Sequence, residues 1–442
     1  MISAHGMGGG SDLPISASSA VVGGSAALTI SFAVLLLAWR TPCLEGAGRQ
    51  VRALPPLPPL TRLVDATATR ASLRLLGLFV LAFSVWAALA GQDDVSSNPV
   101  FGIFYVLLWV GLVPASLFLG PVIKAVSPAR SIAFALSTAL RLDPRVGRWR
   151  LPAWVGLWPA ALGLFAFVWT ELVSPDGTAL ATVTTWLFGY LVVTVAGGVA
   201  FGATWFERAD PFEVYSNLLA HLSPWRRNAN GAIELVAPLR NLAGMPVRPG
   251  LLAVTSVLLG STAFDSFSGS TAWLQFTQST SANVTVVETF LLVGVCVLVG
   301  AAFWLATVLP SRTARVPARE MPGRLAHSMV PIIVGYMVAH YLTLLVESGQ
   351  QTLIQASDPL GTGLNLFGTA NHEVNIWLSL HPTFLATVKV IAIVTGHVLG
   401  VIAAHDRAIG LLPSRDHSTA QLPLLLVMVA YTFTGLYLLF GL

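Results

Sequence analysis

Apolar residues in this chain are gathered into blocks of about 20 residues, and these blocks constrain the fold most strongly. A helix needs about 20 consecutive apolar residues to cross roughly 30 Å of hydrocarbon. Backbone polar groups in lipid must be satisfied internally, so such blocks form helices, and the short alternating segments of a membrane β-barrel are lacking. The blocks predict ten spans, near residues 18–39, 71–91, 100–122, 154–174, 179–204, 250–272, 286–309, 326–347, 382–404 and 422–441.

Composition agrees with this interpretation. Of 442 residues, 55% are hydrophobic and 10% are charged, whereas a soluble globular chain carries roughly 25% charged residues. The predicted fold class is therefore an all-α polytopic membrane helix bundle, with residues 1–442 forming a single integral membrane domain in contact with the lipid bilayer. The net charge of +4 is spread over many short loops, which does not suit a nucleic-acid partner.

The distribution of basic residues predicts the orientation. Five loops, 40–70, 123–153, 205–249, 310–325 and 405–421, hold 22 of the 24 Lys and Arg residues, and the alternate loops hold none. Because basic loops remain cytoplasmic, we expect the N-terminus, the long loop 348–381 and the C-terminus to lie outside.

Two of the cytoplasmic loops contain helix signals. In the loop 205–249, Asp210, Pro211 and Glu213 are typical of a helix N-terminus and predict a surface helix running toward His221. Residues 128–141 have apolar residues at helical spacing between basic ends, as in an interfacial helix. The alternative for both segments is that they are plain connectors.

Ionisable residues inside membrane spans are costly, so each is a candidate site residue. Asp265, His340 and Lys389 all fall in the outer half of the predicted bilayer, and they are the candidate catalytic residues. We expect Asp265 and His340 to approach one another. Lys389 either pairs with Asp265 or Glu288 or extends outward along its flexible stem.

Imidazoles and carboxylates also collect in the outer loops, and further histidines lie deeper in the ninth span. Such groups suit copper or zinc, and they predict a metal site drawn from His5, Asp12, His372, His381, His397 and His405. The alternative is that loop histidines are merely solvated. Haem is not favoured, because His327 and His340 are rotated by about 220° around their helix at 100° per residue.

The chain carries no G-x-S-x-G, H-E-x-x-H or Walker A motif. The sequence therefore predicts that any hydrolysis would be metal-assisted at the outer face.

Three stretches resemble a family of bacterial integral membrane proteins labelled fenitrothion hydrolase, or its membrane component. They are the segment from His5 to Ile15, Phe264-Asp265-Ser266-Phe267 with Trp273, and the segment from Gly396 to Ala408, which contains His397 and His405. The resemblance runs along the whole chain. It implies hydrolysis of an organophosphate ester and a place in the bacterial cytoplasmic membrane.

Two other functions remain open. One is a transporter or metal-handling protein of a small molecule or ion, in which His340, Lys389 and His397 line a path. The other is a non-catalytic membrane subunit of a redox complex, acting with a partner subunit. A hydrolase is expected to have a site open only to the outside, whereas a transporter is expected to have broken helices around a midplane site.

Overall fold

The computed structural model describes residues 13–44 and 55–440. Its first half contains helices α1 Ala17–Ala38, α2 Pro58–Asp65, α3 Thr67–Ala90, α4 Pro99–Gly102, α5 Leu112–Leu119, α6 Val122–Val126, α7 Pro128–Ala139, α8 Trp158–Leu172, α9 Leu180–Phe201, α10 Ala203–Ala209, α11 Pro211–Ala220 and α12 Pro238–Ala243. Its second half contains α13 Leu251–Ser268, α14 Thr271–Ser279, α15 Val284–Val308, α16 Met321–Leu325, α17 Met329–Thr343, α18 Gly349–Gln355, α19 Trp377–Leu380, α20 Pro382–Leu411 and α21 Leu422–Phe440.

Irregular helical segments and one small hairpin complete the described chain. Strands β1 Trp225–Arg227 and β2 Ile233–Leu235 pair antiparallel. Two segments are π-helical, Ile103–Val110 and Leu344–Ser348, and six short turns are 3₁₀-helical: Ala153–Val155, Leu309–Thr313, Ala318–Glu320, Ala326–Ser328, Ser414–Asp416 and Thr419–Gln421.

The predicted membrane architecture is confirmed. Within residues 13–44 and 55–440, nine helical segments are long and apolar enough to cross a membrane. A tenth is added if Pro99–Val110 and Leu112–Leu119, which meet at 44°, form one bent span. Each of the ten predicted spans coincides with one of these segments, so the chain is an all-α polytopic bundle.

Contacts between residues divide the described chain into two compact units. Among the described residues, the first unit comprises 55–241 and Leu344–Asn375. The second comprises 13–44, Leu242–Thr343 and 376–440. The second unit is thus built from three separate stretches of the sequence.

The second unit is organised around close packing of α17 against α20. A Cβ atom added to Gly335 would lie 2.5 Å from the carbonyl oxygen of Ala392, and one added to Gly396 would lie 2.6 Å from that of Pro331. Only glycine permits this approach of two backbones. The tight seam fixes the position of α17 beside α20.

The first unit contains the helix predicted in the loop 205–249. Helix α11 begins after Asp210, whose carboxylate accepts hydrogen bonds from the backbone N–H groups of Phe212 and Glu213, and it ends at Ala220 beside His221, as predicted. Its position differs from the prediction, because nearly all its residues are buried.

Ion pairing explains the buried position of α11. The Glu213 carboxylate is bound by both the Nε and Nη2 atoms of Arg130 on α7, at 2.5 and 2.6 Å. The Asp210 carboxylate accepts from the hydroxyl of Tyr190, which lies near the middle of α9. The turn between α10 and α11 therefore lies level with the middle of a membrane span, and α11 is an internal helix.

The segment 128–141 also forms a helix, α7. Ala129 and Ala133 are buried against Phe206, whereas the larger Phe134 and Leu136 are exposed. One buried face and one exposed apolar face suit the predicted interfacial helix.

Candidate functional site

Two neighbouring helices of the second unit bring five polar side chains together. Asp265 and Ser266 lie on α13, close to its end at Ser268. Tyr336, His340 and Tyr341 lie on α17, which ends at Thr343. Positions 336 and 340 are one helical turn apart and so share a face. All five groups meet where both helices approach loops that carry no Lys or Arg.

The five groups form one continuous set of hydrogen bonds. His340 Nε2 lies 2.8 Å from Asp265 Oδ2, and His340 Nδ1 lies 3.1 Å from Ser266 Oγ. The same Asp265 oxygen accepts from the Tyr341 hydroxyl at 2.6 Å. The Ser266 hydroxyl lies 2.8 Å from that of Tyr336. The predicted approach of Asp265 and His340 is confirmed.

One set of hydrogen-bond directions follows when Asp265 is ionised and the His340 ring is neutral. An ionised carboxylate only accepts, so Nε2 of His340 carries a hydrogen toward Asp265. The neutral imidazole then presents a lone pair at Nδ1, and the Ser266 hydroxyl donates its hydrogen to it. With that hydrogen committed, the Ser266 oxygen accepts from Tyr336. Every group in the set is thereby satisfied.

The resulting order of serine, imidazole and carboxylate is the arrangement that activates a hydroxyl group. The carboxylate holds the ring in one tautomer, and the opposite ring nitrogen is placed to remove the hydroxyl proton. Ser266 and His340 are buried, and the Asp265 side chain retains 12% exposure. The site is sheltered, and its carboxylate lies at the accessible edge.

Sequence analysis named Asp265 and His340 but missed Ser266, Tyr336 and Tyr341. Hydroxyl groups are common in membrane helices, and nothing in a single sequence distinguishes one serine from another. One signal was present, since Ser266 stands beside the intramembrane Asp265, and Tyr336 and Tyr341 stand one turn before and one residue after His340.

Lys389 and Glu288, the other candidates in the outer half, take different positions. Lys389 on α20 is 1% exposed, so its ammonium group does not extend to the surface. The Glu288 carboxylate on α15 accepts a hydrogen bond from the indole of Trp273 at 3.4 Å. A catalytic role for Lys389 stays a prediction.

The two histidines deeper on α20 have distinct surroundings. His397 donates from Nδ1 to the carbonyl oxygen of Ile393 at 2.9 Å, and its Nε2 atom is buried without a hydrogen-bond partner among the described residues. His405 uses both ring nitrogens, Nδ1 with the Gln421 side-chain oxygen at 2.8 Å and Nε2 with the Trp39 carbonyl at 2.9 Å. His405 therefore has no nitrogen open to a metal ion.

Asp406, which follows His405, binds the segment after α1. The Asp406 carboxylate accepts from the indole of Trp39 at 3.0 Å and from the backbone N–H groups of Cys43 and Leu44. Part of the His405-Asp406-Arg407 motif thus fixes the segment that follows α1.

The predicted metal site is not assembled by the residues that the structure describes. In residues 13–44 and 55–440, no three His, Cys, Asp or Glu side chains come together in a way that would hold an ion. His372 and His381 are both exposed, and His381 stacks on Trp377 with ring centroids 4.1 Å apart. His5 and Asp12 lie outside the described residues.

No protein-family model, curated protein or solved structure matches the chain.

Proposed function

We propose that this chain is a membrane-embedded hydrolase in which Ser266 is the nucleophile, His340 the general base and Asp265 the residue that orients the base. The observation that carries the proposal is the hydrogen-bonded order Ser266 Oγ, His340 Nδ1, His340 Nε2 and Asp265 Oδ2. Sequence motifs alone favoured metal-assisted hydrolysis, whereas this order favours a serine nucleophile.

The proposed reaction proceeds in two steps. Ser266 Oγ bonds to the phosphorus or carbonyl carbon of an ester as its proton passes to His340 Nδ1. The bond to the leaving oxygen breaks, and that oxygen takes the proton from the imidazole. Water, deprotonated by the same nitrogen, then releases the acyl or phosphoryl group and restores the serine. The Tyr336 hydroxyl lies 2.8 Å from Ser266 Oγ, and in this proposal it would donate to the substrate oxygen on which charge develops.

The substrate class follows from the surroundings. A site between two apolar helices admits small, uncharged and lipid-soluble esters more readily than charged ones. The resemblance to fenitrothion hydrolases supports an aryl phosphotriester, and neutral phosphotriesters phosphorylate activated serines by the chemistry described above.

A fluorophosphonate probe tests the nucleophile directly, since it forms a stable bond only with an activated serine. We expect the wild-type protein in detergent to be labelled at Ser266, and Ser266→Ala to lose the label. Replacing the base by His340→Gln is expected to slow labelling by roughly 10²- to 10⁴-fold.

Ser256→Ala is the matched control for this experiment. Ser256 is also buried on α13, but its hydroxyl donates to the Leu252 carbonyl of its own helix. It is expected to leave labelling unchanged. A folded wild-type protein that takes no label, or a label at another serine, would overturn the proposal.

Transport coupled to protons is a second candidate, and the same five groups favour it. Hydroxyl, imidazole and carboxylate groups in an unbroken hydrogen-bonded series can pass a proton, and such series mark proton paths in transporters. Proteoliposomes containing a pH-sensitive dye separate the two functions. Proton flux in a wild-type protein that takes no fluorophosphonate label would favour transport, and both Asp265→Asn and Ser266→Ala are then expected to abolish it, because each breaks the series.

A further inference from the structure

The loop between α7 and α8 in the first unit carries the densest group of arginines in the described chain. Arg141, Arg145, Arg148 and Arg150 fall within ten residues, and all four are exposed. The single carboxylate among them, Asp143, accepts a hydrogen bond from the backbone N–H of Arg145 at 2.8 Å. Within residues 13–44 and 55–440, none of the four guanidinium groups is held in an ion pair.

Backbone contacts fix this loop to the end of a membrane span. The N–H groups of Arg148 and Trp149 both donate to the carbonyl oxygen of Ala200, near the end of α9, at 2.8 Å. The Ala203 N–H donates to the Arg145 carbonyl at 3.1 Å. Gly147, with φ of +72°, packs closely on Gly202, and a Cβ atom added to Gly147 would lie 2.4 Å from the backbone nitrogen of Gly202. The arginines are therefore presented from an ordered backbone.

Three tryptophans accompany the arginines. Trp149, Trp154 and Trp158 are 58%, 76% and 53% exposed, and Trp158 opens α8. The guanidinium group of Arg148 lies 5.4 Å from the centre of the Trp149 ring. Exposed indoles at the ends of membrane spans characteristically lie at the boundary between acyl chains and headgroups.

Other arginines of the same unit are already neutralised. Arg226 pairs with Glu234 at 2.6 Å, and Arg227 pairs with Asp65 at 2.9 Å. These two guanidinium groups have their acceptors within the protein. The four arginines of the loop between α7 and α8 instead have their N–H donors exposed at the protein surface.

We propose that this loop is a binding site for an anionic phospholipid of the leaflet on the basic side of the membrane. A lipid phosphate accepts bidentate hydrogen bonds from guanidinium groups, and the indoles would pack on the glycerol and upper acyl carbons. Clusters of this kind beside a membrane helix attract acidic lipids over neutral ones. Charge complementarity and position at the end of α9 together select this occupant.

Lipid retention tests the site. The protein is reconstituted in nanodiscs of phosphatidylcholine with a minor fraction of phosphatidylglycerol and extracted into detergent, and the co-purified lipids are then quantified by mass spectrometry. We expect the wild type to be enriched in phosphatidylglycerol over its share of the nanodisc, and Arg145→Gln with Arg148→Gln to lose at least half of the enrichment.

Arg226→Gln with Arg227→Gln is the matched control, because it removes the same charge from the same unit. It is expected to retain the wild-type enrichment. The proposal fails if the loop variant retains as much phosphatidylglycerol as the wild type, or if both double variants lose it equally, since equal loss would be an effect of net charge.

A measurement on the wild-type protein covers the case in which a variant does not fold. Bromine on the acyl chains quenches nearby tryptophans. At equal mole fraction, brominated phosphatidylglycerol is expected to quench the protein more strongly than brominated phosphatidylcholine, because the anionic lipid gathers at the three indoles. Equal quenching by the two lipids would contradict the proposal.

Discussion

At the scale of single residues, the tautomer of His340 decides what the site in the second unit can do. Asp265 receives two donors on one oxygen, from His340 and Tyr341. With Asp265 ionised and the ring neutral, that arrangement keeps the Nε2 hydrogen in place and leaves Nδ1 to accept from Ser266. In the proposed mechanism, the carboxylate therefore controls the reactivity of a hydroxyl group that it does not touch.

Asp265→Asn tests this control. An amide carries no negative charge to stabilise the imidazolium that forms when His340 takes the serine proton. Where the NH₂ group takes the place of Oδ2, which both donors share, it also donates to His340 Nε2 and moves the ring hydrogen to Nδ1, so that Ser266 is not deprotonated. Fluorophosphonate labelling is expected to slow by roughly 10⁴-fold, as when the orienting carboxylate of a triad is replaced by an amide.

Tyr341→Phe is the control for Asp265→Asn, since it removes one donor to the same oxygen and leaves the carboxylate. It is expected to slow labelling far less. Equal slowing in the two variants would show that the effect comes from disturbed packing, and the orienting role of Asp265 would then be wrong.

At the scale of elements, the seam between α17 and α20 holds His340 in its place. Gly396→Ala would put a methyl group 2.6 Å from the Pro331 carbonyl oxygen, which is shorter than a van der Waals contact between carbon and oxygen. The helices have to separate, and overpacking of this kind costs about 1–3 kcal/mol. We expect a lower midpoint of thermal unfolding in detergent.

Gly294→Ala on α15 is the matched control for the seam. A Cβ atom there meets nothing within 4 Å, so this variant is expected to be neutral or stabilised by up to about 1 kcal/mol, the helical preference of alanine over glycine. If both variants unfold at the same temperature, the seam does not depend on Gly396.

Helix α11 shows which features of an element can be predicted from sequence and which cannot. The ends of α11 could be predicted because capping is local, and Asp210, Pro211 and Glu213 are adjacent in the chain. The burial of α11 could not be predicted, because it depends on residues distant in sequence. Arg130 is 83 residues from its partner Glu213, and Tyr190 is 20 residues from its partner Asp210. The site divides in the same way, since the cost of Asp265 in lipid is a local property and its connection to Ser266 through His340 is not.

At the scale of the whole molecule, the arginine asymmetry predicts that both termini face outward. A reporter fused after Leu442 is expected to read as non-cytoplasmic, and one inserted near Arg315 as cytoplasmic. The physical reason is that basic loops are retained on the cytoplasmic side during insertion. Paired alkaline phosphatase and fluorescent protein fusions at both positions measure this.

The same fusions bear on the bent span. If Pro99–Val110 and Leu112–Leu119 did not cross the membrane as one span, every later loop would change sides. Reporters after Leu442 and near Arg315 would then exchange their sides relative to a reporter near Ala66, which precedes α3. Identical signals at Leu442 and Arg315 would show that the number of spans between them is wrong.

The packing of α1 has a consequence for the order in which the protein is made. Its Val21 packs in one core with Ile393 of α20 and Leu436 of α21. The first described helix therefore cannot complete this packing until α20 and α21 have been synthesised. At about 5–20 residues per second, roughly 340 residues of intervening chain correspond to about 20–70 s. During that time α1 is expected to stand alone in the bilayer. Its sequence suits this, since Ala17–Ala38 contains no charged residue and is among the more apolar spans of the chain. Ribosome-bound chains truncated before α20 should therefore already contain a stably inserted α1.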